Sequence, residues 1–138
     1  MYDAKKPGLV FLVDDDLDDQ MLFRDAIAEI NPSIEVITAV NGVKALKKLA
    51  SGLVTKPNFI FIDLNMPLMN GIQCLKEIKV LPGFSHIPVV IYSTSSYEKD
   101  IQQAAENGAF HYIIKPFSFE ELCEKIKMLL EMDQPGKP

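Results

Sequence analysis

Acidic side chains fall at two places where apolar runs end. The segment "LVFLVDDDLDD" (9–19) carries an apolar run straight into Asp14, Asp15 and Asp16, and "FIFI" (59–62) runs into Asp63. Short apolar runs of Val, Leu, Ile and Phe read as buried strands. Like charges about 4 Å apart repel by roughly 4 kcal/mol at an effective dielectric of 20. A domain's whole stability is only about 5–15 kcal/mol. So if the two strand ends meet, either one carboxylate keeps its proton or a cation fills the space. An oxygen-only set with no His or Cys in reach suits Mg2+, which takes a few carboxylates, waters and a phosphate oxygen.

Two further runs end in groups that favour an anion. "VVIYS" (89–93) delivers the hydroxyls of Ser93 and Thr94, and "FHYII" (110–114) delivers Lys115 ahead of Pro116. Proline there fixes the turn and leaves a cis Lys115–Pro116 peptide open. A cation, a hydroxyl and an ammonium around one acid are suited to hold a phosphoryl group. Asp63 is the acid best placed to carry it, as an aspartyl phosphate. Helix N-capping would explain Asp16 or Asp18, but not acids closing two buried strands. Asp18, Asp19 and Asp25 read as the solvated face of a helix, and His86 and His111 as structural. Met66 and Met69 read as turn packing.

The acids, hydroxyl and lysine meet only if the strands lie side by side. Strands are expected at 8–13, 34–40, 59–62, 89–93 and 110–114, with the second only half buried. Between and after them lie helices. The first is expected from Leu17 to Ile30, with Met21, Leu22, Ala26, Ile27 and Ile30 at helical spacing. The next two cover 41–50 and 70–80, the third opened by a capping box of Asn70 and Gln73. A second box, Ser95 with Glu98, opens a helix that stops at Asn107-Gly108. Ser118 with Glu121 caps the last, about 118–131. Strands alternating with helices give an α/β fold, a doubly wound parallel sheet covered on both faces. The flavodoxin-like order 2-1-3-4-5 puts the three most apolar strands in the middle. It also brings the first and third strand ends together at the switch point, where such sheets bind ligands.

The 138 residues carry a formal net charge of −5, which argues against nucleic acid or an anionic membrane as partner. No apolar run reaches membrane-spanning length, and "MYDAKKPG" has no signal-peptide core, so a cytoplasmic protein is expected. Cys74 and Cys123 form no CxxC pair and read as small core residues. One domain over 1–132 and a polar tail over 133–138 are expected.

The pieces "VDDD" (13–16), "DLNMPLMNG" (63–71), "VVIYST" (89–94) and "NGAFHYIIKPF" (107–117), with the capped last helix, resemble the receiver domain of two-component response regulators. Stand-alone chemotaxis-type receivers are similar over nearly the whole chain. The resemblance implies that Asp63 is the phosphoacceptor and Asp15 a direct Mg2+ ligand, with Asp14 acting through water. The backbone carbonyl of Asn65 would be a further ligand. Ser93 would be the switch hydroxyl, Lys115 the phosphate-binding lysine, and Tyr112 the aromatic that turns inward on activation. It further implies a histidine kinase or phosphotransfer protein as phosphoryl donor, a protein output partner, and a monomer or weak dimer. Only self-directed phosphotransfer and dephosphorylation are implied, not metabolic catalysis. Asn70 stands where Asp is common, and Thr94 where a smaller residue is common, which would crowd the switch.

Other readings of the same residues compete. A dehalogenase-type phosphatase needs a second acid two residues after the nucleophile, and position 65 is Asn. A flavodoxin-like cofactor binder needs a phosphate loop after the first strand, and that loop is acidic. A receiver fold kept only as a docking module, without phosphorylation, is the alternative function. The intact acids and lysine speak against it.

Overall fold

A computed structural model describes residues 8–52 and 54–132; the first seven residues and the 133–138 tail lie outside the described residues. Five strands alternate with five helices: β1 Leu9–Val13, α1 Leu17–Ile30, β2 Glu35–Ala39, α2 Gly42–Ala50, β3 Phe59–Ile62, α3 Gly71–Val80, β4 Val89–Ser93, α4 Glu98–Glu106, β5 His111–Ile114 and α5 Phe119–Leu130. All strand pairs are parallel, in the order β2-β1-β3-β4-β5. The expected order and fold class are therefore observed.

Side-chain alternation along the strands divides the core into two layers. Val10 and Leu12 of β1, Phe59 and Phe61 of β3, and Val90 and Tyr92 of β4 face α1 and α5. Phe11, Val13, Ile60, Ile62 and Ile91 face α2, α3 and α4. β1, β3 and β4 are buried throughout, as strands covered on both faces must be. The edge strand β2 is only partly buried, as its alternation indicated.

The helix starts follow their caps. Asp16 caps α1, its carboxylate accepting from the N–H groups of Asp18 and Asp19. Asn41, Asn70 and Ser118 cap α2, α3 and α5, accepting from Lys44, Gln73 and Glu121 respectively. The Asn70–Gln73 box is half made, because the Gln73 side chain turns to Glu77 instead. Gly108 ends α4 at φ +94°, with Ala109 N–H returning to Ala104.

Four expectations need correction. The Ser95–Glu98 box does not form. Tyr97 stands at the α4 N-cap position without a side-chain cap bond, and the Ser95 hydroxyl donates to Asp100. Met21 and Leu22 are exposed, and α1 buries Gln20, Phe23, Ala26 and Ile27. Phe23 wins the core position because its ring meets Phe61 edge-on at 4.9 Å and also packs on Tyr92. No cis peptide occurs among the described residues, so Lys115–Pro116 is trans. Thr94 points to solvent and does not crowd Ser93. Cys74 is core, Cys123 is only partly buried, and both are free thiols. No helix among the described residues is long and apolar enough to cross a membrane.

Candidate functional site

The site is built by strand register. Val13 pairs with Ile62, so the residues after them, Asp14 and Asp63, leave the sheet side by side. Backbone bonds hold both: Asp14 N–H donates to Ala39 O at 3.0 Å and Asp63 N–H to Val13 O at 2.9 Å. One residue further, Asp15 is exposed at the crevice mouth. Oxygens of Asp14, Asp15 and Asp63 all lie within 4.8 Å of one another. The acid cluster expected from the two strand ends is thus assembled.

The turn after β3 depends on Gly71. A Cβ there would stand 2.5 Å from the Asp63 carbonyl oxygen and 2.7 Å from Leu64 Cα. Only a glycine lets α3 start this close to the acid-bearing backbone, and its N–H closes the turn onto Leu64 O at 2.7 Å. Asn65, expected to offer a carbonyl, lies in this turn, and its backbone N–H acts to lower the Asp63 pKa, a smaller effect than burial.

Lys115 enters from β5. Ser93 pairs with Ile114, and Lys115 N–H donates to Ser93 O at 2.7 Å, which fixes the root of the side chain. Its Nζ lies 2.9 Å from Asp14 Oδ2, 2.8 Å from Asp19 Oδ2 and 3.6 Å from Asp63 Oδ2. The Tyr92 ring lies beneath it, with the centroid 4.8 Å from Nζ.

Burial sets the electrostatics. Asp14 is fully buried and Asp63 is 8% exposed. Desolvation raises the pKa of Asp14, against bonds from Asp16 N–H and Lys115. Desolvation likewise raises Asp63 to about 6; the charge of Lys115 opposes this and that of Asp14 adds to it. For Lys115, burial disfavours the charge, but bonds to Asp19 and Asp14 outweigh it and the pKa is raised. One ammonium thus only partly offsets the convergent acids. An oxygen-only triad with this residual strain fits a hard divalent cation.

Ser93 is fully buried at the neighbouring strand end, where its Oγ accepts from Ser95 N–H at 3.1 Å. Tyr112 does not join the acid cluster. Its hydroxyl donates to Ser95 O at 2.9 Å, so Ser95 links the Ser93 hydroxyl to the β5 aromatic.

Three residues here escaped sequence reasoning. Asp19, read as solvated helix surface, is bound to Lys115. Gln20 is buried and donates to Asp14 O at 2.6 Å. Ser95, read as a cap, is a junction between loop, strand and helix. A polar Gln inside an apolar helix stripe was the one available signal; the Asp19 contact depends on the reach of the Lys115 side chain, and those of Ser95 on a loop path.

The fold recurs in known proteins. The family model described as response regulator receiver domain matches residues 10–127. The chain is 29% identical to chemotaxis protein CheY1 of Helicobacter pylori over 121 residues, covering 88% of this chain and 95% of that protein. The crystal structure of a phosphorylated cyanobacterial phytochrome response regulator, RcpA, superposes with a TM-score of 0.82 at 33% identity, covering 90% of this chain and 91% of that one. The Mn2+-bound response regulator Rcp1 gives a TM-score of 0.81 at 27% identity, with 95% and 100% covered. Five parallel strands in this order, with two acid-tipped strands meeting at the switch point, make the chain a member of the response regulator receiver domain family.

Proposed function

We propose that this receiver is a phosphorylation switch: Asp63 takes a phosphoryl group from a phosphohistidine of a histidine kinase or phosphotransfer protein, in the presence of Mg2+. The observation that carries the reading is the acid triad within 4.8 Å with Lys115 Nζ 3.6 Å from Asp63. The phosphorylated relative RcpA and the Mn2+-bound relative Rcp1 support it by similarity.

Asp15 and Asp14, with Asp63 and the Asn65 carbonyl, are the residues that would hold the cation. Bound there, Mg2+ would supply positive charge beside the phosphoryl oxygens. In the transfer, the phosphorus–nitrogen bond to the donor imidazole breaks as an Asp63 Oδ–phosphorus bond forms, and the imidazole leaves with the electron pair and takes up a proton from water to depart neutral. The Asp63 carboxylate is the nucleophile, and with a pKa of about 6 it is largely ionised at neutral pH. Lys115 offers its charge to the phosphoryl oxygens, and the Ser93 hydroxyl is the second donor. Movement of Ser93 would release the Ser95 N–H bond and reach Tyr112 through the Ser95 carbonyl. The altered α4–β5 face would then be read by a protein partner. The protein works in the cytoplasm, as one receiver unit over 1–132, monomeric or weakly dimeric, and turns over only its own phosphoryl group.

The test is a backbone amide NMR spectrum with Mg2+, before and after beryllofluoride. Shifts at Ser93, Ser95 and Tyr112 that need Mg2+ and vanish in Asp63→Asn are expected. A spectrum unchanged by the mimic would refute the reading.

A further inference from the structure

The lysine of the site is more closely bound than phosphoryl recognition requires. Its ammonium has three N–H donors. Asp14 and Asp19 engage it at 2.9 and 2.8 Å, while Asp63 stands off at 3.6 Å. Asp19 is therefore nearer the ammonium than the residue that is to be phosphorylated. It comes from the first turn of α1, where its N–H is fixed by the N-cap carboxylate of Asp16 at 3.2 Å. The Tyr92 ring bounds the lysine on another side.

The two close carboxylates are not equivalent. The Asp14 side chain has no exposure, so leaving it unpaired would strand a buried charge. The Asp19 side chain is 31% exposed and regains water when the lysine leaves. Asp19 is the partner that Lys115 can exchange at least cost.

We infer that Asp19 is a positioning residue that holds Lys115 on the α1 side in the resting state and competes with the phosphoryl group for its ammonium. This rests on Asp63 being the phosphoacceptor. Bringing Nζ from 3.6 Å into contact with a phosphoryl group on Asp63 draws it away from Asp19, so each phosphorylation weakens the Asp19 contact. The resting pair is therefore subtracted from the affinity of the site for a phosphoryl group. A weaker Asp19 contact should give a receiver more readily held in the modified state.

The test measures beryllofluoride affinity by calorimetry on the full chain at fixed Mg2+. The variants are Asp19→Asn and Asp19→Glu, each with Lys115 intact and with Lys115→Ala. With Lys115 present, Asp19→Asn should bind the mimic about fivefold tighter, the scale of a partly solvated ion pair. Asp19→Glu, which keeps the charge, should stay near wild type. With Lys115→Ala, the gain from Asp19→Asn should vanish. An equal gain in both backgrounds would mean only that negative charge was removed, and would overturn the inference. Weaker binding by Asp19→Asn would overturn it too, because Asp19 would then assist rather than compete. Wild-type binding matched by Asp19→Asn sinks this inference alone. No wild-type binding at all sinks the phosphoacceptor reading, and this inference with it.

Discussion

Replacing Asp63 by Asn should stabilise the metal-free protein. The Asp63 carboxyl is raised from 3.8 to about 6, chiefly by burial, with Lys115 opposing. Below 3.8 both folded and unfolded chains hold the proton, and the group costs nothing. Between 3.8 and about 6 the unfolded chain releases a proton that the folded chain keeps, so this group's contribution to stability falls as pH rises. Above about 6 the cost is complete, about 3 kcal/mol. At pH 4.5 only about 1 kcal/mol of it has developed. Asn has nearly the same shape and no charge. Asp63→Asn should therefore gain about 3 kcal/mol at pH 7.5, a rise in Tm of roughly 10 °C, and about 1 kcal/mol at pH 4.5. Urea unfolding of both proteins in EDTA at the two pH values measures this. A loss of stability at pH 7.5, or an equal gain at both pH values, would refute the reasoning.

Other perturbations separate the parts of the site. Lys115→Ala leaves Asp14 buried and unpaired, and should lose about 3 kcal/mol in EDTA by urea unfolding, with part of it restored by Mg2+. Asp15 is exposed, so Asp15→Asn should leave metal-free stability within about 0.5 kcal/mol. The same variant should lose the Mg2+-induced stabilisation, read as a rise in Tm, which in wild type amounts to about 2.7 kcal/mol of free energy at a hundredfold excess over Kd. Gly71→Ala drives a methyl into the Asp63 carbonyl and should cost about 2 kcal/mol by thermal melting, with weaker Mg2+ binding.

The strands and the acids were legible for one reason. β1, β3 and β4 are covered on both faces, so they must be unbroken apolar runs, and the carboxylates beyond them stand out. β3 and β4 were placed to the residue. The face of α1 was less legible. Met21, Leu22 and Phe23 are all apolar, and the choice among them was made by Phe61 and Tyr92, far away in sequence. Caps read well where the side chain served its own helix, as at Asn70 and Ser118. They failed at Ser95, whose hydroxyl found Asp100 instead. Asp19 lies 96 residues from Lys115, and nothing in the local pattern of α1 marks it apart from Asp18. Contacts made by a loop path or by a long side chain across the sheet edge leave no periodic trace.

The most direct test of phosphorylation at Asp63 is the intact mass of the full chain after incubation with acetyl phosphate, with Mg2+ or with EDTA, for wild type and Asp63→Asn. One phosphoryl group added to wild type only with Mg2+, and none to Asp63→Asn, is the expected result. An unmodified wild type, or an adduct that persists in Asp63→Asn, would contradict it.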